Sequence, residues 1–309
     1  MTKAPAMARK ILLIDDDRLQ FRLTQQHFKT FHVAEYELEW SATYEEGLAN
    51  LLKGGYAACL LDYRLGARDG LELIREAMKR GCRVPIIFLT AETGAAVDIE
   101  AMNAGALDYL VKGEINPHML ERSLRYALKL GETLEALRQL ATHDQLTGVL
   151  NRREFDRILR EEVERSHRLG HHCALILIDI DHFKQVNDTH GHLAGDEVLR
   201  ELSQRLNAKV RTVDRVTRFG GEEFAIVTVE ADLAMAVTMA ERLRASVAGF
   251  PFKVNDTLRL PVTISVGVTV CPADASDPAG LLNAADKALY AAKAAGRNRV
   301  VAYQDLPRT

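Results

Sequence analysis

The stretch KILLIDDD, from Lys10 to Asp17, is a short apolar run that ends in three aspartates. Three more apolar runs in the first third of the chain also end at a polar residue: Ala57–Leu61 at Asp62, Val84–Leu89 at Thr90, and Leu107–Val111 at Lys112. Stretches with helical spacing lie between these runs. Continuous apolar strands that alternate with helices indicate a parallel sheet covered on both faces. The pattern predicts a doubly wound α/β domain.

The polar residues at the ends of these runs are expected to share one crevice, because parallel α/β sheets bind ligands outside the carboxyl ends of their strands. Asp15, Asp16 and Asp62 would repel one another unless a cation lay among them, and Mg²⁺ prefers such oxygen ligands. Lys112 can neutralise a phosphoryl group, and the Thr90 hydroxyl can donate a hydrogen bond to it. These residues predict a site where a carboxylate accepts a phosphoryl group.

Residues 8–127 resemble the response-regulator receiver family through LIDDD, LLDYRLG, FLTAE and DYLVK, in that order. The resemblance implies a flavodoxin-like domain with a five-stranded sheet and a sensor histidine kinase or another phosphodonor as partner. Gly113 stands where the family usually has proline. A receiver-shaped scaffold that is never phosphorylated is the alternative. The implied roles are Asp62 as phosphoacceptor, Asp15, Asp16 and Asp62 as Mg²⁺ ligands, and Thr90, Tyr109 and Lys112 as switch residues.

A helical pattern runs from about Asn116 to Thr142. Its length and spacing predict a linker helix over residues 118–142 that overlaps the last receiver helix and forms a short dimeric coiled coil. A monomeric helix packed on its own domain is the alternative, and Gly131 weakens the middle of the helix. The predicted seam consists of Leu120, Ala127, Leu130, Leu134, Leu137 and Ala141, with Ser123 as its polar position.

Helices and strands alternate again from His143, in a pattern that predicts an α+β domain with a mostly antiparallel sheet. Residues 215–219 and 224–229 flank a Gly-Gly turn, which indicates a hairpin. Asp179 and Asp181 follow a buried strand and, being two residues apart, face the same side. Convergence of Asp179 with Glu222, beyond the glycines, would create an acidic pocket for two divalent cations, as in two-metal phosphoryl-transfer sites.

Residues 143–305 resemble the GGDEF diguanylate cyclase family, in its GGEEF form, through DQLTGVLNRR, DIDHFKQVNDTHGHLAGD, RFGGEEF and YAAKAAGRN. The resemblance implies a nucleotide-cyclase (palm-like) fold and a homodimer that condenses two GTP into cyclic di-GMP with Mg²⁺, or alternatively Mn²⁺. An Asp carboxylate only accepts hydrogen bonds, which suits the guanine N1–H and amino group better than adenine. The implied roles are catalysis by Asp179, Glu222 and Glu223, metal binding by Asp179, the Ile180 carbonyl and Glu222, guanine recognition by Asn187 and Asp196, and triphosphate binding by Lys184, Lys293 and Arg297.

The resemblance also implies an inhibitory product site at Arg211 and Asp214, with Arg242 as a secondary contact. Arginine can pair with phosphate and stack on guanine. The usual meaning of such a pair, a salt bridge at a helix end, remains the alternative. Two other functions compete with regulated cyclic di-GMP synthesis: a catalytically silent cyclic di-GMP receptor, and a cyclase with an adenine-containing product.

Length, net charge, apolar runs and cysteine spacing limit the classes of protein to which the chain can belong. The 309 residues suffice for two domains, and a net charge of −3 gives no reason to expect nucleic-acid binding. The sequence has no apolar run long enough to span a membrane and no signal peptide, and its four cysteines lack metal-binding spacing, so a cytoplasmic protein with reduced thiols is expected. His167, His171 and His172 offer a weak zinc pattern that no nearby ligand completes.

Overall fold

The computed structural model describes residues 8–31, 36–91 and 95–307, so Glu92, the last residue of the FLTAE motif, lies outside the described residues. The chain divides into two units, Met1–Leu137 and Arg138–Thr309. Each unit has its own sheet and its own apolar core.

Five parallel strands form the sheet of the N-terminal unit, in the order β2-β1-β3-β6-β7. Alternate residues of β1 pack into different apolar clusters: Leu12 and Ile14 on one face of the sheet, Ile11 and Leu13 on the other. Both faces are therefore covered, which explains the continuous apolar runs and confirms the doubly wound prediction. The elements are β1 Arg9–Ile14, α1 Arg18–Lys29, β2 Tyr36–Ser41, α2 Tyr44–Lys53, β3 Ala58–Asp62, β4 Arg64–Leu65, β5 Arg68–Asp69, α3 Gly70–Lys79, β6 Ile86–Thr90, α4 Ala95–Ala104 and β7 Asp108–Val111.

A 3₁₀ turn at Lys112–Glu114 leads into the long helix α5, Pro117–Thr142. The predicted seam of this helix is wrong in its first half. Leu120 and Ala127 are buried in the receiver core, since the stripe there faces the receiver's own sheet. Four leucines further along α5 remain at least a third exposed: Leu130, Leu134, Leu137 and Leu140.

Gly131 has a packing role within α5. A Cβ atom at this position would overlap Cγ of Pro85, which is part of a rigid ring. Glycine in a helix interior costs up to about 1 kcal/mol relative to alanine. At this position glycine instead allows the helix to approach the segment before β6 closely.

The C-terminal unit has a mixed five-stranded sheet, in the order β14-β13-β8-β10-β9. Only β13 and β14 pair in parallel, and the other neighbours are antiparallel, so the predicted α+β class is confirmed. The elements are α6 Arg152–Leu169, β8 Cys173–Ile180, α7 Phe183–His190, α8 His192–Asn207, β9 Arg215–Gly220, β10 Glu223–Val229, α9 Leu233–Ala248, β11 Phe252–Lys253, β12 Arg259–Leu260, β13 Ile264–Cys271, α10 Pro278–Ala294 and β14 Val300–Ala302, with a 3₁₀ turn at Tyr303–Asp305.

The central strand β8 organises this unit. Its even-numbered residues, such as Ile176 and Ile178, pack in the cluster that includes α8 and α9. Its odd-numbered residues, such as Leu175 and Leu177, pack in the cluster that includes α6 and α10. Asp179 therefore projects on the same face of the sheet as α10, at the end of the strand.

None of the described helices combines the length and apolarity that a bilayer crossing needs. All four cysteines are buried and unpaired. Burial raises the pKa of Cys173 to about 12, because a thiolate is poorly solvated there. This thiol therefore remains protonated at neutral pH.

Candidate functional site

The receiver residues predicted from strand ends meet at one edge of the N-terminal sheet. Nζ of Lys112 lies 2.9 Å from Oδ2 of Asp15 and 2.8 Å from Oδ1 of Asp62. Carboxylate oxygens of Asp15, Asp16 and Asp62 lie within 4.8 Å of one another. Thr90 ends β6 at the same edge and is fully buried. Lys112 thus contacts two of three carboxylates that lie close enough together to bind one cation.

Burial shapes the electrostatics of this edge. It raises the pKa of Asp62 to about 6, and the nearby charge of Asp15 adds to the effect, although the hydrogen bond from Lys112 opposes it. Burial likewise raises the pKa of Asp15. Burial alone would lower the pKa of Lys112, but its hydrogen bonds to both carboxylates outweigh this and raise it. A divalent cation would relieve the repulsion between the carboxylates, so the residues present fit Mg²⁺.

Tyr109 lies on β7 beside Phe88 of β6 and is partly exposed.

A glycine is needed close to the acidic edge of the receiver sheet. A Cβ atom on Gly70 would overlap the backbone oxygen of Asp62, which ends β3. The start of α3 can therefore approach the predicted phosphoacceptor only because residue 70 has no side chain.

In the C-terminal unit, the sheet brings the two predicted acidic clusters together. Asp179 on β8 is the direct antiparallel partner of Glu223 on β10, so their side chains share a face. Nζ of Lys293, on α10, lies 2.8 Å from Oδ2 of Asp179. Two residues predicted separately, one as a metal ligand and one as a triphosphate ligand, are thus in direct contact.

The carboxylates of this cluster disfavour one another's ionisation. Burial raises the pKa of Asp179; Lys293 opposes the effect, and the charge of Glu222 adds to it. Burial and the charge of Asp179 raise the pKa of Glu223. Bound divalent cations would relieve this repulsion, so the donor set fits Mg²⁺. Ile180, whose carbonyl is the remaining predicted ligand, ends β8.

The predicted guanine-reading residues are neighbours across two helices. Asn187 lies on α7 and Asp196 on α8, and both are half-buried. A Cβ atom on Gly195 would overlap Oδ1 of Asn187. The Asn187 amide therefore lies directly against the backbone of Gly195, the residue before Asp196.

The remaining predicted triphosphate ligands are exposed cations. Lys184 lies in the first turn of α7, three residues beyond Asp181. Arg297 follows α10 and has a left-handed backbone, with φ of 63°. Among the described residues, neither side chain forms an ion pair. Both remain available to an anionic ligand.

A further set of contacts, around the GGEEF hairpin, was missed by sequence reasoning. Nη1 of Arg218 lies 3.0 and 3.2 Å from the two carboxylate oxygens of Asp144. Nε and Nη2 of the same arginine donate to the carbonyl of Gly221, at 2.9 and 2.8 Å. Burial alone would raise the pKa of Asp144, but hydrogen bonds from Thr147 and Arg218 lower it. Arg218 thus joins the DQLT motif to the GGEEF hairpin.

In the predicted product site, the arginine and the aspartate are hydrogen-bonded to each other. Arg211 donates to both carboxylate oxygens of Asp214, at 3.1 and 2.8 Å. The Asp214 side chain is buried, whereas that of Arg211 is partly exposed. Arg242 donates to the carbonyl of Lys209. The salt bridge considered as an alternative is therefore present.

The histidines considered for zinc have separate partners. Nε2 of His167 lies 2.7 Å from the carbonyl oxygen of Ser276, and Nδ1 of His171 lies 3.2 Å from a carboxylate oxygen of Glu230. Within the described ranges, no histidine belongs to a group of three or more metal-type ligands.

Comparison with known proteins places both units in families. The model of the GGDEF diguanylate cyclase domain matches residues 141–299, and that of the response regulator receiver domain matches residues 11–125. Response regulator PleD of Caulobacter vibrioides is 35% identical over 302 residues, which cover 94% of this chain and 65% of PleD. Diguanylate cyclase DgcP of Pseudomonas aeruginosa is 42% identical over 167 residues, or 54% of this chain and 25% of DgcP. The chain thus spans less than two thirds of the length of either relative.

Solved structures resemble the C-terminal part. The coiled coil and GGDEF domain of DgcB from Caulobacter crescentus, in complex with c-di-GMP, is 32% identical, with a TM-score of 0.55 over 60% of this chain and 97% of that one. Diguanylate cyclase SiaD from Pseudomonas aeruginosa, in complex with its activator SiaC, is 39% identical, with a TM-score of 0.51 over 60% of this chain and 70% of that one. The GGDEF model covers more than half of the sequence, and the chain therefore belongs to the GGDEF diguanylate cyclase family, with a response regulator receiver domain preceding its GGDEF domain.

Proposed function

We propose that this chain is a diguanylate cyclase that condenses two GTP into cyclic di-GMP and releases pyrophosphate. The observation that carries the proposal is the contact between Lys293 and Asp179 beside Glu223. This contact supports the proposal because a lysine that can neutralise a triphosphate lies next to carboxylates that suit divalent metal ions. In each of two steps, a 3′-hydroxyl attacks an α-phosphorus and pyrophosphate leaves.

The protein's contribution is to bind and orient the nucleotide. Asn187 is proposed to donate or accept hydrogen bonds at the guanine edge, and Asp196 to accept them from guanine N1–H and the amino group, which favours GTP over ATP. Lys184, Lys293 and Arg297 are proposed to neutralise the triphosphate. Mg²⁺, or alternatively Mn²⁺, would be held by Asp179, the Ile180 carbonyl and Glu222, and would stabilise the charge that develops at phosphorus.

The reaction calls for a homodimer, since each GGDEF domain is proposed to hold one GTP. Leu130, Leu134, Leu137 and Leu140 supply an exposed apolar stripe on α5. Such a stripe, with spacing of three and four residues, is typical of a helix that pairs with a second copy of itself. The exposed stripe supports dimerisation through the second half of α5.

Phosphorylation of Asp62 by a histidine kinase or another phosphodonor is proposed to control the dimer. A phosphoryl group on Asp62 would interact with Lys112 and Thr90, at an edge where Lys112 already contacts Asp62. Receiver conformers that favour the active dimer would become more populated. Tyr109 is proposed to respond together with Thr90.

Cyclic di-GMP is proposed to inhibit the enzyme at Arg211 and Asp214, with help from Arg242. Because Asp214 is buried against Arg211, a guanine can reach its carboxylate only if this pair opens. Arg211 would then be free to contact phosphate or to stack on the base.

Incubation of the purified chain with GTP and Mg²⁺, followed by chromatography of the nucleotides, tests the proposed activity. We expect cyclic di-GMP and pyrophosphate, with more product when beryllium fluoride mimics the phosphoryl group on Asp62. ATP and a metal chelator serve as negative controls. Absence of turnover with and without beryllium fluoride would refute the proposal, and an adenine-containing product would refute the role of Asp196.

Gly195→Ala is predicted to raise the KM for GTP about tenfold or more, because the new methyl group must displace the Asn187 amide from the guanine edge. Steady-state kinetics with GTP measure this effect. The matched control is Gly113→Ala, since a Cβ atom there meets no neighbour within 4 Å and KM should not change. An unchanged KM in the Gly195→Ala variant would show that Asn187 does not depend on this contact.

A further inference from the structure

Asp181 lies two residues beyond Asp179, but its carboxylate is already occupied by the protein. Its Oδ1 accepts a hydrogen bond from Oγ of Ser265 at 2.6 Å. Its Oδ2 accepts one from Oγ1 of Thr263 at 2.6 Å and one from the backbone N–H of Asn298 at 3.0 Å. The residue is 6% exposed. A buried carboxylate with both oxygens engaged has an anchoring role.

The segment that Asp181 anchors has an unusual backbone. Gly296, Arg297 and Asn298 have φ values of 108°, 63° and 44°. Residues other than glycine rarely adopt this left-handed backbone conformation, and two such residues in succession require support from their surroundings. The turn therefore depends on contacts from outside its own sequence.

Hydrogen bonds to other parts of the chain contribute to that support. The N–H of Arg297 donates to the carbonyl of Ala292, in the last turn of α10, at 3.1 Å. The N–H of Asn298 donates to Asp181, and Nη1 of Arg244 donates to Oδ1 of Asn298 at 2.9 Å. Arg297 is thus held from α10 on one side and from Asp181 on the other.

We infer that Asp181 is a positioning residue that holds the Arg297 turn in the conformation in which this arginine binds the nucleotide triphosphate. The inference rests on the proposed function, in which Arg297 is a triphosphate ligand. It gives the two aspartates of the DID triplet separate tasks. Asp179 contacts Lys293 and is the proposed metal ligand, whereas Asp181 joins the end of β8 to the turn after α10.

Binding of a GTP analogue with a non-cleavable bridge after the α-phosphorus tests this role without turnover. Asp181→Ala is expected to weaken binding about tenfold, because the N–H of Asn298 loses its acceptor and the turn relaxes. Asp181→Asn should bind within about threefold of the original chain. Its amide oxygen can still accept from Asn298, and the Ser265 hydroxyl can reverse to accept from its NH₂ group. A loss in Asp181→Asn as large as in Asp181→Ala would overturn the inference.

A double-mutant cycle identifies the residue through which Asp181 acts. Adding Asp181→Ala to Arg297→Ala should cause no loss beyond that of Arg297→Ala alone, because both changes remove the same contact. Additive losses would show that Asp181 does not act through Arg297. If Asp181→Ala does not fold, Thr263→Val removes one orienting hydroxyl, and its smaller loss should also vanish in the Arg297→Ala background.

The same titrations separate this inference from the proposed function. If the original chain does not bind the analogue in the presence of Mg²⁺, the proposed function fails. If it binds and Asp181→Ala binds equally well, the proposed function stands and the positioning role is wrong. Thermal unfolding of each variant confirms that a folded protein was titrated.

Discussion

Asp179→Asn is expected to lower the rate of cyclic di-GMP synthesis by roughly a hundredfold to a thousandfold, the range typical of losing one group that stabilises the charge of a transition state. Asp179 is buried beside Glu223 and contacts Lys293 at 2.8 Å. An asparagine keeps the shape of the side chain but removes the negative charge proposed to hold Mg²⁺, and leaves Lys293 without its counter-charge. The measurement is kcat for pyrophosphate release at saturating GTP and Mg²⁺.

The stability of the Asp179→Asn variant should not fall together with its activity. Burial outweighs the bond from Lys293 and raises the pKa of Asp179, so at neutral pH the ionised form costs the folded state more than the unfolded state. The neutral asparagine removes this cost, and the variant should unfold at the same or a higher urea concentration. A loss of activity with retained stability separates a catalytic from a structural role.

Asp256→Asn provides the matched control, since that side chain is 96% exposed and its ion pair within the described part of the chain is with Lys253, on the surface. Neither kcat nor the unfolding midpoint should change in this variant. Near-normal activity of Asp179→Asn would contradict the proposed metal site, and Glu222→Gln would then be the next variant to test.

The second large effect is expected at Asp62, as a pH dependence of receiver stability in the absence of metal. The pKa of Asp62 is raised from 3.8 to about 6, so between these values the folded state binds more protons than the unfolded state. The free energy of unfolding should therefore fall as pH rises from 4 to 6.5, by at most roughly 3 kcal/mol. Above that range the cost of ionised Asp62 is fully present.

The single tryptophan of the chain reports on this unit. Trp40 stacks on Phe21 and donates to the backbone carbonyl of Asp15 at 2.8 Å. Urea unfolding followed by its fluorescence, with EDTA present, should show the predicted slope. Mg²⁺ should raise the midpoint at pH 7, where the carboxylates are ionised, and much less at pH 4.5.

Asp62→Asn should remove most of the slope and most of the effect of Mg²⁺. It should also be at least as stable as the original chain at pH 7, because it lacks the buried charge. A slope that persists in this variant would assign the titration to another group of the acidic edge, such as Asp15, whose pKa is also raised by burial.

Much of the receiver site was predictable from strand ends. The apolar runs ending at Asp15, Asp62, Thr90 and Lys112 required only the rule that parallel strands place their carboxyl ends at one edge. The GGEEF hairpin was predictable from two apolar runs around a Gly-Gly turn, since turn chemistry is local. The seam of α5 was half wrong, because its spacing cannot distinguish a stripe that packs on its own sheet from one that faces a partner.

The sequence by itself determined the two domain classes and the candidate catalytic and ligand-binding residues, since strand length, helical spacing and turn residues are encoded over short stretches. Only the tertiary structure decided which partners each of those residues contacts. Asp181 finds Ser265 and Asn298, which lie 84 and 117 residues away, and Arg218 finds Asp144 from 74 residues away. Such partners depend on strand order and helix packing, so Asp179 and Asp181, two residues apart in the sequence, contact different parts of the chain.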